Sequence, residues 1–137
     1  MSPQPPPHAA TTQRVNRYFQ TVLGGKADIR VQLPITLSTS EPEPDIVIVQ
    51  LDAGEYADRY PDSNDVLLLI EVAYTSLEID RRQKAPIYAK ANITDYWILD
   101  IIERQAYIFR NPTKEEYQSE IIFNAENSIT FLAFSDL

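Results

Sequence analysis

Apolar residues along the chain follow two kinds of spacing, which predict where helices and strands lie. From Ala9 to Leu23 apolar side chains recur every three or four residues, which indicates an amphipathic helix that Gly24 and Gly25 end. A second helix is predicted from Leu77 to Ala91. Pro86 lies inside it and lacks a backbone N–H, so a kink is expected there.

The other apolar stretches are short and rich in β-branched residues, which is typical of strands. They lie around Ile29 to Leu33, Asp45 to Leu51, Val66 to Val72, Tyr96 to Asp100 and Gln105 to Arg110. Asp45 to Leu51 is strongly β-branched and Val66 to Val72 is apolar on both faces, so these two are expected to be central neighbours. Tyr117 to Phe123 and Ile129 to Phe131 are predicted to form a closing hairpin. This order of elements predicts an α/β fold, a mixed central β-sheet flanked by helices.

The length of 137 residues and the 44% hydrophobic content fit one domain spanning residues 1–137. Residues 1–8 are predicted to be an extended, proline-rich segment, which is neither a secretory signal nor an anchor. The longest apolar run, Val66 to Ile70, is much shorter than a membrane span. We therefore expect no membrane association and a cytoplasmic location.

The chain has no cysteine, one histidine and three glycines. Disulfides, thiolate zinc sites, cysteine nucleophiles and clustered-histidine metal sites are thereby excluded, as are dinucleotide and P-loop motifs. A serine hydrolase would need His8, which lies in the proline-rich segment and is not expected to be held rigidly. An enzyme with this composition must use carboxylates, lysine, tyrosine or a hard metal ion such as Mg²⁺.

Charge is distributed unevenly. The net charge of −8 argues against tight nonspecific binding to nucleic acid, because such binding depends on neutralising phosphates. Eight of the 20 acidic residues lie between Glu41 and Asp65, and the stretch Asp52 to Asp65 is interpreted as a surface excursion. Four of the 12 basic residues lie within ten positions, namely Arg81, Arg82, Lys84 and Lys90. A local basic face is compatible with this pattern.

Asp45 begins one predicted strand and Glu71 lies near the end of the next, so their carboxylates are expected to converge at one edge of the sheet. The apolar flanks imply a low dielectric, in which two close carboxylates raise each other's pKa unless a cation lies between them. Mg²⁺ or Mn²⁺ would take oxygen ligands from Asp45, Glu71 and the backbone carbonyl of Val72. The alternative is that Asp45 caps a turn and Glu71 pairs with a lysine.

Four blocks of the sequence carry a resemblance to a known family. They are Glu43-Pro44-Asp45-Ile46-Val47-Ile48-Val49, Leu69-Ile70-Glu71-Val72, Asp80-Arg81-Arg82-Gln83-Lys84 with Tyr88-Ala89, and Asp95-Tyr96-Trp97-Ile98-Leu99-Asp100. In this order and spacing they resemble the Uma2 family of candidate endonucleases, of DUF820 type, which are abundant in cyanobacteria and belong to the PD-(D/E)XK nuclease superfamily. The resemblance runs from about Pro3 to Arg110 and implies a restriction-endonuclease-like core.

The resemblance also implies roles for individual residues. Asp45 matches the first metal ligand and Glu71 the second. The superfamily places a lysine two positions after the second acid, where this chain has Ala73. Uma2-like sequences carry the lysine on the following helix instead, which points to Lys84.

Three further residues are expected to support this site. Asp80 and Tyr88 lie one helical turn before and after Lys84 and would share its face. Arg81 would hold a phosphate beside the metal. The alternatives are that Asp80 and Lys84 form an exposed ion pair, that Tyr88 packs in the core and that Arg81 is a solvated charge.

The implied function is Mg²⁺- or Mn²⁺-dependent hydrolysis of phosphodiester bonds in DNA. A homodimer is expected, through the strand Gln105 to Arg110 or the terminal hairpin. Met1-Ser2-Pro3 through His8 resembles the family's Ser-Pro…His block, before which family members have a segment and a β-hairpin that this chain lacks. One alternative is therefore a catalytically inactive interaction module that is truncated at the N-terminus. A glycosidase with a carboxylate pair is a third hypothesis, for which no sugar-sized cleft is predicted.

Overall fold

The computed structural model describes residues 4–124, in which six strands form one sheet. The strands are β1 (Asp28–Val31), β2 (Ile46–Val49), β3 (Val66–Ala73), β4 (Asp95–Asp100), β5 (Gln105–Pro112) and β6 (Tyr117–Asn124). Their order across the sheet is their order along the chain, and only the β3–β4 pair is parallel. The predicted mixed sheet and the central pairing of β2 with β3 are confirmed.

The helix α1 (Pro6–Leu23) lies against one face of the sheet. It begins three residues earlier than predicted, so the expectation that residues 1–8 are extended is wrong from Pro6 onwards. Proline is tolerated in the first helical turn because the N–H that it lacks would have no partner within the helix. Gly24 ends the helix in the left-handed conformation, with φ 54°, and donates its N–H to the Gln20 carbonyl.

Residues 77–90 cross from β3 to β4 and lie against the other face of the sheet. They comprise α2 (Leu77–Ile79), a π-helical turn (Asp80–Lys84) and α3 (Ala85–Lys90). A parallel strand pair needs such a crossover, which is usually helical. In a regular α-helix the ring of Pro86 would clash with the Arg82 carbonyl, and the wider π turn before it relieves that clash. The predicted helix and its irregularity near Pro86 are both present.

Each face of the sheet has its own apolar core. The core under α1 includes Phe19, Leu23, Ile46, Ile48, Leu68, Ile70, Trp97 and Ile108. The core under residues 77–90 includes Val47, Leu69, Ala73, Ala85, Tyr88, Tyr96, Ile98 and Phe109. The central strands therefore bury both faces, and their ends are held in a fixed relation to both helical layers.

One other prediction is corrected by the described residues. The stretch Asp52 to Asp65 is more than a surface excursion, because Tyr56 and Asp65 are buried and Ser63–Asp65 forms a 3-10 turn before β3. Strand β5 pairs with both β4 and β6, and the homodimer expected through it stays a prediction. Ile129 to Phe131 of the predicted hairpin lie outside the described residues. Among the described helices, none has the length and apolar character needed to cross a membrane.

Candidate active site

Asp45 and Glu71 meet where the ladder between β2 and β3 ends. Asp45 directly precedes β2, and the last regular pair of that ladder joins Ile46 to Ile70. Beyond it, the Asp45 N–H donates to Glu71 Oε1 over 2.9 Å and the Val72 N–H donates to Asp45 Oδ2 over 2.8 Å. These reciprocal bonds satisfy two backbone donors at the end of the ladder and hold the carboxylates side by side. The predicted convergence of the two acids is confirmed.

Lys84 reaches this carboxylate pair from the π turn. Its Nζ lies 2.6 Å from Glu71 Oε2 and 3.2 Å from Asp80 Oδ1. Asp80 is buried, and its other oxygen accepts the Ser76 hydroxyl at 3.0 Å. Lys84 thus bridges a strand acid and a helix acid, so Asp80 and Lys84 are more than the exposed ion pair of the alternative interpretation. The pairing of Glu71 with a lysine, which was the other alternative, is present.

The π turn itself is tied to the sheet by Tyr96. The buried Tyr96 hydroxyl donates to the Asp80 carbonyl over 3.1 Å, and the Ala85 N–H donates to the same carbonyl. A π turn contains one residue more than an α turn, so it changes which of the following side chains face the sheet. In this chain the π turn contains both Asp80 and Lys84, and both lie beside Glu71.

Burial and charge shift the titration of this cluster. Burial raises the pKa of Glu71 to about 7, while the Lys84 ammonium lowers it and Asp45 raises it. Burial likewise raises the pKa of Asp80 against the opposing effect of Lys84. Burial lowers the pKa of Lys84, but Glu71 and Asp80 outweigh it, so that pKa lies above its ordinary value. Lys84 therefore keeps its positive charge, whereas burial disfavours the negative charge of Glu71 and Asp80.

His8 also belongs to this site, although the sequence did not lead us to predict it as a site residue. Its ring is buried, and Nε2 lies 3.1 Å from Asp45 Oδ2. The expectation that this histidine is not held rigidly is wrong, because it lies in the first turns of α1. Two signals were available in the sequence: the resemblance of this segment to the Ser-Pro…His block, and its position in phase with the apolar face at Phe19.

A cavity of about 290 Å³ opens beside these groups. Its lining includes His8, Asp45, Glu71, Val72, Asp80 and Lys84. Two of the predicted supporting residues are not brought to it. Tyr88 is buried and contacts the Tyr96 ring edge-on, with ring centroids 4.9 Å apart.

Arg81 is the other residue that does not line the cavity. Its guanidinium binds Glu120 on β6 at 2.8 Å and lies 4.7 Å from the centroid of the Tyr107 ring. Both contacts hold the guanidinium at the sheet surface on the side of β5 and β6. Neither the phosphate role nor the solvated charge describes Arg81 in this arrangement.

The donors that remain for a metal ion are few. Within residues 4–124 no group of three or more histidine, aspartate or glutamate side chains is arranged to hold one. Asp45 Oδ1 accepts no hydrogen bond from that part of the chain, whereas both Glu71 oxygens accept one. Two carboxylates beside an open cavity, with the Val72 backbone at its wall, still match the oxygen-rich and partly hydrated coordination of Mg²⁺.

Two solved structures share the fold of this chain. The solved structure of "a putative nuclease belonging to DUF820" from Anabaena variabilis matches 99% of this chain and 77% of its own, with 16% identity and a TM-score of 0.77. The type IIG restriction endonuclease BpuSI matches 94% of this chain but 15% of its own, with 17% identity and a TM-score of 0.54. At these identities the similarity establishes the fold.

The sequence comparison then identifies the family. The chain belongs to the Uma2 family, because the family model described as "Uma2: Putative restriction endonuclease" matches residues 1–137. No curated protein matches the sequence. The family resemblance expected from the four sequence blocks is confirmed.

Proposed function

We propose that this chain is a single-domain, divalent-metal-dependent endonuclease that hydrolyses phosphodiester bonds in DNA. The observation that carries the proposal is the reciprocal hydrogen bonding of Asp45 and Glu71 at an open cavity, with Lys84 2.6 Å from Glu71. The family description and the restriction endonuclease among the structural matches support a nucleic-acid substrate. The cytoplasmic location and the homodimer stay predictions.

The residues present fit a hard cation. Asp45 Oδ1, a Glu71 carboxylate oxygen and the Val72 carbonyl would hold Mg²⁺ or Mn²⁺, and water would complete the coordination. Such an ion, when bound, lowers the pKa of a coordinated water and stabilises the charge that develops on the phosphate. The raised pKa of Glu71 supports this assignment, because burial and the neighbouring Asp45 still disfavour its charge in spite of Lys84, and a bound cation would offset that cost.

Lys84 acts as a fixed positive charge in this proposal. Its raised pKa disfavours proton abstraction near neutral pH, so the ammonium neutralises the phosphate or orients the attacking water through an N–H donor. Asp80, at 3.2 Å, gives Lys84 a second carboxylate partner besides Glu71 and thereby limits its movement. In the reaction, water adds to phosphorus, one P–O ester bond breaks, and the proton from water leaves with solvent or with the departing oxygen.

Plasmid nicking in the presence of Mn²⁺ tests this proposal. We expect wild type to convert supercoiled plasmid to the nicked form, and EDTA to stop it. Glu71→Ala should reduce the rate by more than about 10²-fold, because losing metal-assisted stabilisation costs several kcal/mol. The matched control is Glu103→Ala, which removes an exposed carboxylate from the β4–β5 turn and should nick like wild type. Equal nicking by wild type and Glu71→Ala would assign the activity to a contaminant.

A catalytically inactive interaction module is the second candidate. It is favoured by one observation: both Glu71 oxygens already have hydrogen-bond donors, so Glu71 is satisfied without a metal ion. Calorimetric titration with Mn²⁺ separates the two candidates. Micromolar or tighter binding that Asp45→Ala abolishes contradicts the inactive module, and absence of binding contradicts the nuclease.

A further inference from the structure

The His8 ring makes its polar contact at the candidate active site. The residue is 6% exposed, and Asp45 is the one hydrogen-bond or ion-pair partner of its ring within residues 4–124, where Nδ1 has none. A buried imidazole is rarely left with one nitrogen unpaired. The ring therefore lies where Nε2 contacts Asp45, although Nδ1 has no hydrogen-bond partner within residues 4–124.

The contact defines both the proton on the ring and the role of each Asp45 oxygen. An ionised carboxylate only accepts hydrogen bonds, so we infer that His8 Nε2, which lies 3.1 Å from Asp45 Oδ2, carries the ring proton on that side. Asp45 Oδ2 is thus contacted from two elements: the Val72 N–H of β3 donates to it, and His8 Nε2 of α1 lies 3.1 Å from it. Neither group contacts Asp45 Oδ1. Two contacts on one oxygen restrict the orientation of the carboxylate and leave the other oxygen for a ligand.

The start of α1 makes this donor rigid. Pro6 and Pro7 occupy the first helical positions with their φ angles preset, and the Ala9 N–H closes the first turn onto the Pro5 carbonyl. Further along the same face, Thr12 and Phe19 are buried against the sheet. The helix therefore has an ordered first turn before His8 and is packed on the sheet beyond it, which restricts the movement of the buried ring.

We propose that His8 is a positioning residue that holds Oδ2 of Asp45 and so orients Oδ1 toward a bound divalent cation. The inference rests on the proposed function, since it assigns His8 to the same carboxylate pair. Residues that hydrogen-bond to a ligand from behind are expected to change metal affinity by about 10- to 100-fold when they are removed. A purely structural histidine, which only docks α1 on the sheet, would change stability and leave metal affinity alone.

Mn²⁺ binding measured without DNA separates these roles. His8→Phe keeps a ring of similar size but removes the donor, and we expect it to weaken Mn²⁺ binding by about 10- to 100-fold. His8→Gln can place an amide N–H near the former Nε2, so it should bind Mn²⁺ more tightly than His8→Phe. The matched control is Thr12→Val, one turn further along α1, which removes a buried hydroxyl that has no hydrogen-bond partner within residues 4–124 and should bind like wild type.

Three outcomes overturn the inference: wild-type affinity in His8→Phe, equal weakening in Thr12→Val, or no difference between His8→Phe and His8→Gln. Because binding is measured without DNA, wild type that binds Mn²⁺ but does not nick plasmid refutes the nuclease and leaves the role of His8 to be decided by the variants. Wild type that binds no Mn²⁺ overturns both.

The contact between His8 and Asp45 can also be tested without a metal ion, through the protonation of the imidazole. His8 is the one histidine of the sequence, so its ring nitrogens can be assigned directly in a ¹⁵N spectrum of protein without a histidine tag. We expect a protonated Nε2 in wild type and a changed tautomer balance in Asp45→Ala, which removes the acceptor. A ring protonated at Nδ1 alone, or one indifferent to Asp45→Ala, contradicts the hydrogen bond on which the inference depends.

Discussion

Two buried carboxylates in this molecule behave in opposite ways. Asp65, just before β3, is 4% exposed, and Glu71, near the end of the same strand, is 2% exposed. Burial raises the pKa of Asp65, but donors from Arg59, the Asp62 N–H and Gln50 outweigh it and hold the pKa at about 2. Burial raises the pKa of Glu71 to about 7.

The difference lies in what surrounds each acid. Asp65 has a guanidinium, an amide and a backbone N–H within 2.9 Å, and these donors complete a structural junction between the loop and β3. Glu71 has a lysine that is shared with Asp80, and a second carboxylate, Asp45, beside it. Burial alone therefore does not mark a functional acid. Under the proposed function, Glu71 differs from Asp65 because it shares its one cation with Asp80 and faces a second carboxylate at an open cavity, where a ligand can supply further positive charge.

The largest expected effect is on Lys84. Lys84→Met keeps the length of the side chain but removes the charge, and we expect plasmid nicking to fall by about 10²- to 10³-fold, as when one electrostatic donor is lost from an active site. Lys84→Arg, which keeps the positive charge on a side chain of different geometry, should nick plasmid at a rate between those of wild type and Lys84→Met. The control is Lys90→Met, which removes a charge from the exposed end of α3 and should nick like wild type. Unchanged nicking in Lys84→Met would place Glu71 with Asp65, as a structural acid.

The second effect concerns the pH dependence of Glu71 in EDTA. Its folded-state pKa of about 7 lies above the ordinary value of 4.5, so the stability that it contributes is present below pH 4.5 and is lost as the pH rises through 7. Glutamine stays neutral at every pH. The free energy of unfolding of Glu71→Gln, relative to wild type, should thus increase by up to about 3 kcal/mol across that window in urea titrations. A relative free energy that decreases with pH contradicts the raised pKa.

The third effect is the reverse slope at Asp65. Its folded-state pKa of about 2 lies below 3.8, so its stabilisation is present above pH 3.8 and is lost as the pH falls through 2. Asp65→Asn should lower the free energy of unfolding by about 2 kcal/mol near neutral pH, and the deficit should shrink toward pH 2. Plasmid nicking at a temperature where the variant is folded should equal that of wild type. A nicking defect in the folded variant would remove the contrast with Glu71.

The smallest effect is expected at Pro86. Pro86→Ala restores a backbone N–H and removes the clash that favours the π turn, so residues 80–84 can relax toward an α-helix and turn Lys84 away from Glu71. We expect nicking to fall about tenfold, which corresponds to about 1.4 kcal/mol, with no loss of thermal stability. Pro112→Ala, at the end of β5, is the matched proline control. Equal activity in Pro86→Ala and wild type would show that the π turn does not set the position of Lys84.

Much of the fold was predictable because its elements have strong local patterns. The β-branched run at Ile46–Val49 and the apolar run at Val66–Ala73 have no stable place except inside a sheet, so their pairing followed from burial. Pro86 indicated an irregular helix but did not indicate that the irregularity is a π turn. The start of α1 was misjudged because a proline-rich segment favours extended structure, yet prolines also fit the first turn of a helix. The burial of Tyr56 and Asp65 does not follow from the sequence, because the stretch Asp52 to Asp65 is acidic and has no apolar periodicity.

The candidate site divides in the same way. Asp45 and Glu71 could be inferred because each lies at the end of an apolar strand, and adjacent strand ends must meet at one edge of the sheet. Lys84 came from the family resemblance, and its distance to Glu71 depends on a π turn that no periodicity indicates. The two sequence signals at His8 indicate that the residue matters and that it lies on the buried face of the helix, but neither relates it to Asp45, which lies 37 positions away in the sequence.

The sequence by itself determined the strands, the helical crossover, the family and the two acids of the site, since these depend on local pattern and on apolar burial. Only the tertiary structure decided which donors surround each acid. In the folded chain His8 and Lys84 contact the pair Asp45 and Glu71. Arg81 pairs with Glu120, Tyr88 packs in the core, and Asp65 pairs with Arg59. The reason is physical: hydrogen bonds and charge pairing act over about 3 Å, and such distances arise only after the sheet and both helical layers have packed.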